Sequence, residues 1–174
     1  ALPISMKTSG VQSKFFALAV SAGLLSLGAT LNAAQGNASL TQADGAVTGA
    51  TAGEALAAGS VLSTQTGGQA VLNINVNAIV LAENSTVSID ILESEDTGVE
   101  EVSNVQLTLS SGRIFGRIAQ FSSLSKFVVK IPKGQVAIDA SSGPVTFDIS
   151  ANGETIVGEG SVDVVFDRGA GGEA

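Results

Sequence analysis

From residue 61 onward, apolar residues recur at every second position, and this constrains the chain more than any other feature. Leu72, Ile74 and Val76 alternate with Asn73, Asn75 and Asn77. Val87, Ile89 and Ile91 alternate with Thr86, Ser88 and Asp90, and Val105, Leu107 and Leu109 with Gln106, Thr108 and Ser110. The same pattern runs through 127–131, 145–149 and 162–166. A period of two belongs to a strand, whose successive side chains leave opposite faces. Each run therefore predicts a strand with one apolar and one polar face. Gly67-Gly68, Ser111-Gly112, Pro132-Lys133-Gly134, Ser142-Gly143-Pro144 and Asn152-Gly153 punctuate the runs as turns. Asn152-Gly153 predicts a type I′ hairpin, which needs positive φ at both central residues. A short strand is expected within 46–50 and a helical turn near 53–58. The sum is a single all-β domain of about ten to twelve short, mostly antiparallel strands, a sandwich or roll, with a β-solenoid-like coil as the second architecture.

Composition narrows the chemistry. The 174 residues include no Cys, His, Trp or Tyr. Thiol nucleophiles, imidazole bases and the usual zinc, copper, haem and iron–sulfur ligand sets are therefore excluded. No cofactor is expected. At 44% hydrophobic content, mostly Val, Ile, Leu and Ala, the chain can build an aliphatic core. Eight basic residues against 16 acidic ones argue against nucleic acid and anionic membranes as partners.

The N-terminal residues 1–34 read as a secretory signal, with 1–5 an upstream remnant ahead of Met6. Lys7 and Lys14 precede an apolar run from Phe15 to Leu27, and the small residues Ala33 and Ala34 follow. About 13 residues are too few to span a bilayer comfortably, so no membrane insertion is expected after cleavage, and the expected location is periplasmic or extracellular. Residues 35–51 are low in complexity and read as an arm, 52–167 as the β body, and the Gly-rich 168–174 as a flexible tail.

The order of several phrases resembles the FecR domain, an extracytoplasmic β module. They are Ala58-Gly59-Ser60-Val61-Leu62-Ser63-Thr64, Gly68-Gln69-Ala70-Val71-Leu72, Leu81-Ala82-Glu83-Asn84-Ser85-Thr86-Val87-Ser88-Ile89, Val105 to Ile114 with Ser111-Gly112-Arg113, Phe127 to Ile138, and Thr155 to Val162. The resemblance implies an exported β fold rather than an activity. The sequence departs from the family pattern at Asp139 to Pro144, where Arg-Gly-Thr is often found, and shows a signal-like segment where founding members carry an anti-sigma region.

Few residue groups suggest chemistry. Glu93, Glu95 and Asp96, with Glu100 and Glu101, are weak candidates for calcium, but the spacing from Glu93 puts Asn104 where an EF-hand loop needs Glu. Ser123-Leu124-Ser125-Lys126 has the Ser-x-x-Lys spacing of some acyl enzymes but leads into a strand, without their partner motifs. Asp139 and Asp148 lie on separate strands, and no aromatic platform for a sugar accompanies them. Asn73, Asn75 and Asn77, on one face of one predicted strand, suggest a hydrogen-bonded ladder between subunits. With Ala46 and Val47 of the arm, they are the candidate self-association residues, the arm adding a strand to a neighbour. The expected function is that of a non-enzymatic exported subunit that assembles with itself into a filament, surface layer or matrix. The alternative is a binding or sensing module docked on a receptor protein.

Overall fold

The computed structural model describes residues 34–167. The predicted signal segment, apart from Ala34, and the predicted tail lie outside these residues. Fifteen strands follow one another: β1 (Ala34–Gln35), β2 (Ala38–Asp44), β3 (Val47–Thr48), β4 (Ala55–Leu56), β5 (Val61–Thr64), β6 (Gln69–Ile74), β7 (Asn77–Leu81) and β8 (Thr86–Asp96). Then come β9 (Glu101–Ser111), β10 (Arg113–Ile118), β11 (Lys126–Ile131), β12 (Gly134–Asp139), β13 (Val145–Ser150), β14 (Thr155–Glu159) and β15 (Ser161–Phe166). Three of them have only two residues. No described residue is helical. The helical turn expected near 53–58 is instead β4, whose Leu56 packs into the core as it pairs with β2.

The strands form two sheets, one in the order β15-β12-β11-β9-β8-β5-β3, with β1 also on β8, and the other β14-β13-β10-β7-β6-β2-β4. All pairings are antiparallel except β9 with β11. The architecture is the all-β sandwich expected from the alternation, not a coil of repeats. The chain passes back and forth between the layers, from the β3/β4 end to the β14/β15 end.

Aliphatic side chains fill the space between the sheets. Leu62, Ile89, Leu107 and Val129 from one sheet and Leu40, Leu72, Ile79, Ile114 and Ile149 from the other are almost wholly removed from solvent. Burial of each such side chain contributes about 1.5–3 kcal/mol before conformational entropy is set against it. Their β-branched and aliphatic shapes suit facing pleats.

Bulges modify the predicted faces. In β8 the register slips between Ile89 and Ile91, so Asp90 is the extra residue. The slip exchanges faces: Leu92 is buried, whereas Ile91, expected inside, is only half-buried. The Asn152-Gly153 hairpin forms between β13 and β14, but not as type I′. Of its two named residues only Gly153 has positive φ, the Gly153 N–H donates to the Ser150 carbonyl, and the Ser150 N–H to the Glu154 carbonyl. This is a three-residue loop with glycine in the left-handed place.

The residues read as an arm are part of the sandwich. β2 pairs with β6 from Ala38↔Ile74 to Asp44↔Gln69, and Leu40 is fully buried. Its neighbours in sequence are small and polar, so β2 owes its form to pairing rather than to its own hydrophobicity.

Candidate functional site

The three asparagines do not form a ladder. Ile74 pairs with Asn77, so Asn75 and Val76 are a two-residue turn between β6 and β7. Asn73 alone sits on β6. Asn75 has φ 53, a region Asn tolerates better than most residues. Its Oδ1 accepts from the Asn37 N–H at 3.1 Å, and its Nδ2 donates to Ser103 Oγ at 3.1 Å. Asn77 faces inward, and its Oδ1 accepts from the Ala119 N–H at 2.8 Å. These amides fasten the turn, the start of β2, β9 and the segment after β10 to one another. Both amides are engaged within the molecule.

Ala46 and Val47 are also engaged within the chain. The Ala46 carbonyl accepts from the Gln65 N–H, and Val47 pairs with Thr64 and packs against the core. They form the edge of one sheet, but β3 is two residues long and offers little ladder to a partner.

The acidic residues occupy the tip of the long β8–β9 hairpin and turn to different neighbours. Glu93 Oε2 accepts from Asn104 Nδ2, Asp96 Oδ1 from the Gly98 N–H, and Glu101 Oε1 from Ser94 Oγ. Among the described residues no three Asp or Glu side chains converge on a point where a metal ion would fit. Ser123 and Leu124 lie outside any strand. Ser125 is largely buried, with its Oγ accepting from the Ser103 N–H. Asp139 and Asp148 belong to different sheets and project from opposite outer faces. Asp139 caps the Ser141 N–H, whose hydrogen bonds hold its carboxyl below the usual range. Asp148 pairs with Arg113 and raises the guanidinium pKa. The bulged Asp90 gathers hydrogen bonds from Ser88, Gln106 and Thr108. Burial alone would raise its pKa, but these bonds and the charge of Lys130 hold it low.

A hollow of about 120 Å³ opens beside the Asn75 turn, floored by Val105 and Phe127 and rimmed by Asn75, Ser103, Ser125 and Lys126. The amide of Asn75 and the hydroxyls of Ser103 and Ser125 already have partners in the protein.

Compared with known protein families, curated proteins and solved structures, the chain matches none of them.

The most unusual surface is the β14/β15 end. β14 closes one sheet and β15 the other, joined by Gly160 alone. Each is paired on one side only. Val162, Val164 and Phe166 point between the sheets, yet Val164 is 37% and Phe166 54% exposed, because among the described residues no further strand covers them. Val157 enters the same opening from β14 at 37% exposure. On the outer sides Ile156 and Val165 are half exposed. Apolar residues thus show on both faces of the open end; β15 carries no lysine, proline or bulge to deter pairing, whereas β14 is bulged at Gly158. The sequence does not mark this site, because the alternation at 162–166 reads as that of an ordinary core strand. The signal available was the unbroken run Val164-Val165-Phe166, which puts apolar residues on both faces.

Proposed function

We propose that the protein is an exported, non-catalytic β sandwich that associates with copies of itself through its β14/β15 end, as a subunit of an extracellular assembly. The observation that carries this reading is the pair of one-sided edge strands with Ile156, Val157, Val164, Val165 and Phe166 exposed together. Apolar side chains exposed on an open sheet edge favour strand pairing between molecules, since pairing satisfies the ladder and removes apolar area from water at once. The apolar stretch behind Lys7 and Lys14, and the FecR-like order of the later phrases, support export. The structure gives the arm a different part from the one first expected: β2 is a partner within the sandwich, so association is assigned to the other end.

The test is the molar mass of the purified protein by light scattering over a concentration series, with refractive-index detection because Trp and Tyr are absent. The wild type is expected to exceed the monomer mass. Ile156→Lys with Val165→Lys, both at exposed outer positions, is expected to return it to monomer with its far-ultraviolet circular dichroism unchanged. A wild type that stays monomeric at every concentration overturns the proposal.

A further inference from the structure

The β15 edge is self-complementary, and the register it selects can be worked out. Its inner face carries Val162, Val164 and Phe166, and its outer face Ser161, Asp163 and Val165. A two-fold axis normal to the sheets sets β15 antiparallel to its mate and leaves inner residues inner. Directly opposed residues must then share a face, so the centre of pairing falls on a residue and not between two. Centring on Asp163 would oppose two carboxylates, which is unfavourable. Centring on Val164 opposes Val164 to itself, Val162 to Phe166 and Asp163 to Val165. Every inner contact is then apolar, and the acids are kept apart.

Resting on the self-association proposed above, we infer that two copies join by this register, β15 against β15 about Val164, in a closed pair. The opposite end of the sandwich is not an equivalent occupant. Its edge strands β3 and β4 have two residues each, against six in β15 and five in β14. Residues 168–174, which follow β15 in the sequence, hold no large apolar side chain. β14 ends the second sheet at the same end. A contact that uses one patch on both molecules is complete at two. Growth beyond the pair would need another surface.

The chain has no cysteine, so single substitutions report the register directly. Residues directly opposed across antiparallel strands lie within disulfide reach, whereas those displaced by two positions are about 7–8 Å apart and do not bridge. Under mild oxidation Val164→Cys is expected to form a covalent dimer. Asp163→Cys and Val165→Cys are expected to cross-link with each other when mixed, and neither with itself. Light scattering of the unsubstituted protein gives an independent reading, expected at twice the monomer mass. Self-cross-linking of Asp163→Cys in preference to Val164→Cys overturns the register. Open-ended polymers, or cross-links from Thr48→Cys on β3 to Val164→Cys, overturn the closed pair while leaving self-association standing. A monomeric unsubstituted protein overturns both.

Discussion

Replacing Asn75 separates a turn that holds the fold from an amide that merely decorates a strand. In Asn75→Ala the Asn37 N–H and Ser103 Oγ each lose a partner at 3.1 Å. Each lost bond costs about 0.5–1.5 kcal/mol at such a partly solvated place. The backbone must still adopt φ 53, which costs a non-glycine residue without a polar side chain about 1 kcal/mol more. The sum is about 2–4 kcal/mol. Asn75→Gly loses the same bonds but not the conformational ease, so it is expected to lie about 1 kcal/mol above Asn75→Ala in stability. Asn75→Asp keeps the acceptor for Asn37 and loses only the donor to Ser103, and is expected to be the mildest. The assay is urea unfolding followed by far-ultraviolet circular dichroism, with the slope checked for constancy so that midpoint shifts report stability. If Asn75→Ala lies within about 0.5 kcal/mol of wild type, below the cost of one such bond, or if Ala and Gly are equal, the argument from the turn is refuted. A solvent-facing asparagine on a strand would give that flat result.

Further perturbations test other parts of the sandwich. Leu40→Ala is expected to cost about 2–5 kcal/mol, because a fully buried residue leaves a cavity; a change under 1 kcal/mol in the same urea assay would return β2 to the status of a loose arm. Ser85→Ala removes a fully buried hydroxyl that accepts from the Arg113 N–H and donates to its carbonyl. It is expected to cost about 1–3 kcal/mol, and thermal unfolding that leaves the melting temperature unmoved would count against this crossing between the sheets. Asp90 has a depressed carboxyl pKa, so its contribution is present above its unfolded value, near 3.8, and lost as pH falls through the folded one. The stability gap between wild type and Asp90→Asn is therefore expected to narrow below about pH 4. Parallel urea titrations from pH 6 to pH 2 would show it, and a constant gap would refute it.

The fold class was legible because alternation survives in any half-buried strand. Runs such as Val105 to Leu109 and Phe127 to Ile131 are strands where the sequence placed them. What alternation does not show is where the chain reverses. Leu72 to Asn77 reads as one strand, since a two-residue turn interrupts no period of two, and only the tolerance of Asn75 for positive φ hints at the turn. The bulge at Asp90 was equally silent, because one extra residue changes faces without changing composition. β2 was hidden for another reason: with Leu40 as its one large apolar residue, it is a strand by virtue of β6. The open end left only one local trace, the apolar run Val164-Val165-Phe166. A strand such as β15 differs from a central one only in lacking a second neighbour, and that is a property of topology.

The back-and-forth path also determines when each pairing becomes possible as the polypeptide is made. From β5 onward every strand pairs with the next one in sequence or with one reached after a single visit to the opposite sheet. The N-terminal edge and β15 never touch, unlike the first and last strands of a closed barrel. Emerging from a ribosome or a translocation channel, such a chain can condense layer by layer behind its leading end, with no early strand held unpaired until synthesis finishes.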